Sequence, residues 1–154
     1  MDPYQLAQLL NDSKVRGEII KSLTFVEWQM DSLIECYFTR DARREAFSEL
    51  IIDRLNFNSK ISVIEKLPFK KRYKSMEAFR TIRHLQQLRN VVAHARHFSG
   101  WEEKIQNPKW AYLMEDYPKS FKNAVVTSRL AIGKLTNTKE VWGPYASTIN
   151  ITRS

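Results

Sequence analysis

The sequence predicts an all-α protein, a bundle of four main helices with shorter helices and an extended C-terminal tail. Apolar residues recur at three- and four-residue spacing along most of the chain, the period of helices that bury one side. Four Gly and five Pro in 154 residues, with 43% hydrophobic residues, leave too few breakers and too much apolar surface for a disordered chain. Strand-type alternation is weak and no internal repeat is visible. The length suits one domain able to bury a core. Residues 1–154 therefore read as a single domain, with its core over about 13–100 and a capping segment, last helix and docking tail over 101–154.

The first long helix covers residues 13–38. Ser13 can cap it, and Val15, Ile19, Leu23, Val26, Met30, Leu33 and Tyr37 form its apolar side. A second helix is expected over 41–55, opened by Asp41, with Ala46, Phe47, Leu50, Ile51 and Leu55 apolar. Asn56 to Ser59 breaks the pattern. Ser59 then begins a short helix with Ile61, Ile64 and Leu67, stopped by Pro68. Lys70, Lys71, Arg72 and Lys74 form a basic connector around Tyr73, a solvated loop or a track for a phosphate backbone. Another long helix runs from Ser75 to about His97, with Ser99-Gly100 as its stop. The aromatic-rich stretch Trp101 to Tyr117 reads as a short helix or irregular cap on the core. Pro118 opens a last helix to about Leu135 through Phe121, Val125, Leu130, Ile132 and Leu135. From Val141 onward the tail reads as extended, its Trp142, Tyr145, Ile149 and Ile151 fitted to dock on the same chain or a second subunit.

Lys and Arg number 25 against 17 Asp and Glu, a formal charge of +8. Such an excess favours a polyanion, because each neutralised phosphate releases a counterion. No apolar run reaches membrane-spanning length and no signal peptide is evident, so no membrane partner and a cytoplasmic location are expected. Cys36 is the only cysteine, which leaves no disulfide framework; within its apolar run it reads as a small core residue.

The 75–97 helix carries the chemistry. Phe79, Ile82, Leu85, Leu88, Val92 and Ala95 gather on its core side, while Arg83, Gln86, Gln87, Asn90, His94 and His97 lie opposite. That strip holds no acid and no lysine, only amides, an arginine and imidazoles. These groups suit phosphate and base edges, though a solvated face has the same polarity. Asn90 and His94 are helical neighbours, so the amide can orient the imidazole. Arg89 is about 140° around the helix and about 7.5 Å along it from His94. Closing that gap takes a long guanidinium, a distorted turn or a second subunit. Glu27 and Glu35 can also face inward as polar partners for Arg89, a reading ranked below the others. His84 reads as structural. No zinc set is expected from His84, His94 and His97, since no Cys or spaced carboxylate completes it.

Arg89-Asn90-Val91-Val92-Ala93-His94, late in a long amphipathic helix, resembles the Arg-x4-6-His motif of HEPN domains. The helical layout from Val15 to His97 is similar too. The resemblance implies a metal-independent endoribonuclease without a cofactor, working as a homodimer, of the kind found as toxins with a cognate antitoxin or in larger phage-defence complexes. It makes Arg89 and His94 the catalytic pair and Asn90 the polar residue beside the arginine. RNA supplies the ribose 2′-hydroxyl as nucleophile; an imidazole titrates near neutrality, and an arginine matches the phosphorane charge. Two His94 side chains in a dimer would supply the two proton transfers. Arg83, Arg96, His97, Lys70, Lys71 and Arg72 are the expected RNA contacts. Arg96 stands where many such toxins carry a tyrosine, which argues against control through that tyrosine.

The principal alternative is a non-catalytic HEPN-like domain that binds RNA, nucleotide or protein; sequences resembling the mannitol repressor share this helical pattern. A fragment of a larger assembly is the third reading.

Overall fold

A computed structural model describes residues 1–39, 41–94, 108–138 and 141, with the Arg72 side chain excepted. Among the described residues the chain forms six α-helices and three short 3-10 turns, with no strand. The helices are α1 (Pro3–Asn11), α2 (Ser13–Phe38), α3 (Asp41–Leu50), α4 (Phe57–Lys66), α5 (Met76–His94) and α6 (Lys119–Thr136).

Helix starts follow local capping chemistry. Asp2 caps α1 in a reciprocal capping box with Gln5, ahead of Pro3. Nothing in the periodicity of the sequence predicts this helix. Asp12, not Ser13, caps α2: its Oδ1 accepts from the Lys14 and Val15 amides at 2.7 and 3.4 Å. A carboxylate at this site also complements the helix dipole. Asn56 caps α4 through the Ser59 amide at 2.9 Å, so that helix begins two residues before Ser59. Ser75 Oγ accepts from the Ala78 amide at the head of α5.

α2 is the central element, packed against all five other α-helices. Val15, Ile19, Leu23, Val26, Met30, Leu33 and Ile34 are buried along it, while Tyr37 is half-buried. Each fully buried aliphatic side chain contributes about 1.5–3 kcal/mol of transfer free energy. α4, α5 and α6 complete the core with Phe57, Ile61, Ile64, Phe79, Ile82, Leu85, Leu88, Val92, Phe121, Val125, Ile132 and Leu135. Trp110, Leu113 and Met114 cap it from around the 3-10 turn Ala111–Leu113, as the aromatic-rich segment suggested.

Three expectations change. The second helix stops at Leu50, and the chain tightens into a 3-10 turn over Ile52–Arg54. That turn drives Ile52 into the core while Leu50 and Ile51 remain exposed, so α3 itself buries no residue. Leu130 is 69% exposed, because it lies on the side of α6 away from Ser128, the fully buried position two residues earlier. Val141 is buried and helical, where an extended tail was expected to begin, and its N–H donates to Thr138 O at 3.2 Å. The continuation of α5 to His97, the Ser99-Gly100 stop, residues 101–107 and the tail from Trp142 lie outside the described residues.

Candidate functional site

Arg89 and His94 leave α5 in different directions. On a helical wheel Arg89 stands about 40° from fully buried Leu85, four residues before it, while His94 stands about 180° from Leu85. Arg89 thus occupies the core-facing arc of α5, with its side chain only 29% exposed. His94 is exposed in the last turn of the helix, and Asn90 is exposed one turn before it.

A charged group on a core-facing arc needs compensation. Glu27 of α2 provides it: Oε2 lies 3.0 Å from Arg89 Nη2. The guanidinium also lies over the Phe57 ring of α4, 5.5 Å from its centroid, a cation–π geometry. The other oxygen of Glu27, Oε1, accepts from Lys60 Nζ at 3.0 Å. Lys60 in turn reaches Asp31 Oδ1 at 2.8 Å and Oδ2 at 3.0 Å. Glu27 and Asp31 are four apart on α2 and so share a face. Two carboxylates from α2, one lysine from α4 and one arginine from α5 meet as a neutral cluster between three helices.

Burial decides how these groups titrate. Burial raises the Asp31 carboxyl above its ordinary value, and the Lys60 hydrogen bond offsets only part of that. For Lys60, burial works against the charge, but the hydrogen bonds to Asp31 and Glu27 outweigh it and hold the ammonium above its ordinary value. Lys60 is buried, whereas Arg89 sits toward the solvent edge of the same cluster.

The end of α5 is tied to α2 a second time. Arg16 Nη2 donates to Val92 O at 2.9 Å, satisfying a carbonyl in the last turn, where a cation also complements the helix dipole.

The remaining expected contacts disperse. Arg83 turns to α4, where its Nε donates to Glu65 Oε1 at 3.2 Å, its Nη2 pairs with Glu65 Oε2, and its Nη1 donates to Asn58 Oδ1 at 2.9 Å. It serves there as a clamp between α4 and α5. Lys70 and Lys71 are exposed just before the head of α5, about 27 Å along the helix from His94. Arg96, His97 and the Arg72 side chain fall outside the described residues.

His84 packs as expected, its Nδ1 3.2 Å from the Tyr112 hydroxyl and its ring edge-on to that tyrosine. Burial, with Arg80 and Lys109 nearby, lowers its pKa. Cys36 is half-buried beside Arg44, whose Nη2 lies 3.4 Å from Sγ, and burial raises the thiol. Among the described residues no three His, Cys, Asp or Glu side chains converge as metal ligands.

Of the two inward partners that the sequence offers Arg89, Glu27 pairs with it; among the described residues no ion pair joins Glu35 to Arg89. Lys60 is not among the residues expected at the site. Its signal was present: Phe57, Lys60, Ile61 and Ile64 follow helical spacing, which puts a lysine on an apolar stripe. No helix of the described residues is long and apolar enough to cross a membrane. Comparison with family models, curated proteins and solved structures finds no match.

Proposed function

We propose that this chain is a metal-independent endoribonuclease of HEPN type, with α2, α4, α5 and α6 as its four-helix bundle and two copies completing one cleft. The observation that carries the reading is the disposition of the motif on α5: an exposed imidazole at His94, and a partly exposed arginine at Arg89 anchored by its neighbours. The net charge of +8 supports a polyanionic substrate.

One His94 takes the proton of a ribose 2′-hydroxyl as its oxygen bonds to phosphorus. The second copy's His94 protonates the departing 5′-oxygen as the P–O5′ bond breaks. Arg89 faces the equatorial phosphate oxygens, and the products are a 2′,3′-cyclic phosphate and a 5′-hydroxyl. With about 140° between Arg89 and His94, one copy offers only half of such a site. A cytoplasmic toxin or phage-defence effector, controlled by an antitoxin or a larger complex, is the role that suits this chemistry.

A second reading draws on the ion pair itself. Arg89 is engaged by Glu27 and Phe57 inside its own helices, as in a module that binds RNA, nucleotide or protein without cutting it.

The purified chain is incubated with transfer and messenger RNA in EDTA, with end-group analysis, beside His94→Ala. Cleavage by wild type alone, leaving cyclic phosphate ends, is expected. Equal RNA survival with both proteins sinks the nuclease reading and leaves the binding module. Light scattering checks the second copy: a monomer at micromolar concentration removes the composite cleft.

A further inference from the structure

We propose that Glu27 is a positioning residue for Arg89, and that Lys60 keeps Glu27 in that role by occupying one of its two oxygens. The inference rests on the nuclease reading above.

A carboxylate facing an arginine without other partners tends to form two parallel N–H···O bonds, a fork-to-fork pair that takes up one side of the guanidinium. Here that pairing is split. Oε1 of Glu27 belongs to Lys60 at 3.0 Å, and only Oε2 faces Arg89 Nη2 at 3.0 Å. Asp31 holds the same ammonium at 2.8 Å, so Lys60 is shared by two carboxylates one turn apart on α2. Arg89 is thereby oriented by one ion pair and by the Phe57 ring. A guanidinium carries five N–H donors, so this single pair leaves donors for a phosphate.

The exposures follow the same order. The Lys60 side chain is 6% exposed, Glu27 18% and Arg89 29%, so the anchor is inside and the anchored group meets solvent. Such an arrangement trades some anion affinity, since Glu27 repels phosphate, for a fixed approach direction. Small misplacements of a group that stabilises a transition state lower turnover steeply.

The test measures kcat and KM of full-length wild type, Glu27→Gln, Glu27→Asp and Lys60→Met on one RNA oligonucleotide, repeated in an Arg89→Lys background. Glu27→Gln is expected to lower kcat at least ~10-fold without raising KM, because orientation is lost while repulsion is relieved. In the Arg89→Lys background the same change should have little further effect. Multiplicative losses in the two backgrounds overturn the inference, as does a rise in KM at constant kcat. If Glu27→Gln does not fold, Glu27→Asp is read in the same cycle. If wild type cuts no RNA, the nuclease reading fails, and the Arg89 Nε–H resonance decides the positioning inference separately. A dispersed, slowly exchanging signal that averages in Glu27→Gln supports it; an unchanged signal overturns it.

Discussion

Replacing Lys60 by methionine removes the one cation among the described residues that touches both Glu27 and Asp31, while keeping nearly the length of the side chain. The ammonium makes hydrogen bonds to Glu27 Oε1 and Asp31 Oδ2, both at 3.0 Å. Hydrogen bonds to charged groups contribute about 1.5–3 kcal/mol each, and leaving a buried charge unpaired costs about 3–5 kcal/mol. Two features reduce the loss. Glu27 keeps Arg89, and the two carboxylates retain about a fifth of their exposure, so water partly replaces the ammonium. The expected loss is about 3 kcal/mol, which for a chain of this size lowers Tm by roughly 6–12 °C.

The deficit should also depend on pH in a definite direction. Burial already raises the Asp31 carboxyl, and Lys60 is the group that opposes that rise. Without Lys60 the folded protein binds the Asp31 proton more tightly still. The variant's deficit therefore shrinks as pH falls from 8 toward 5. Urea unfolding of both proteins across that range is the assay. A loss under about 0.5 kcal/mol, the size of an ordinary surface change, would refute the idea that the cluster supports the core. A deficit that does not change with pH would show that Asp31 is not the group left uncompensated.

Three further outcomes follow from the same contacts. Arg89→Ala should destabilise by about 2–3 kcal/mol, since it leaves Glu27 and Asp31 with one cation, whereas His94→Ala changes Tm little because His94 is exposed; calorimetry that shows equal losses contradicts the inward placement of Arg89. Alkaline pH should weaken the fold. Burial and the bond to Glu18 Oε2 at 2.6 Å raise the Tyr117 hydroxyl above its ordinary 10.0, and the carboxylates raise Lys60 above 10.5. Both groups thus contribute stability that is complete below those values and is lost above them. Urea midpoints should hold up to about pH 10 and fall as pH rises beyond it, and by less in Tyr117→Phe. Ile52→Ala should cost about 2–5 kcal/mol while Ile51→Ala costs under about 1, a contrast that urea unfolding reads directly and that the exposed Ile51 and buried Ile52 require.

Periodicity located the long helices well because their apolar positions repeat over many turns: α2 runs over the expected 13–38, and α5 begins within one residue of Ser75. It failed where a few residues decide. Leu50, Ile51 and Leu55 fit a helical stripe, yet a change to 3-10 geometry selects Ile52 for the core instead. The short helix at Pro3–Asn11 carries only three buried residues, too few to stand out as a periodic segment. Arg83 reads as a site residue because the polar strip of α5 on which it lies holds no acid. Its carboxylate partner, Glu65, comes from α4.

By itself the sequence determined the helical class, the span of α2, the start of α5 and the place of the Arg89–His94 motif on it. All of these follow from local spacing, which a single chain direction encodes. The tertiary structure decided which charges meet. Glu27, Asp31, Lys60 and Arg89 are scattered over more than sixty positions of sequence, and each alone reads as an ordinary charged residue on a helix. Packing α2, α4 and α5 together takes all four from water at once. In that setting a charge persists only beside its opposite, so the pairing belongs to the helix contacts and to no single segment.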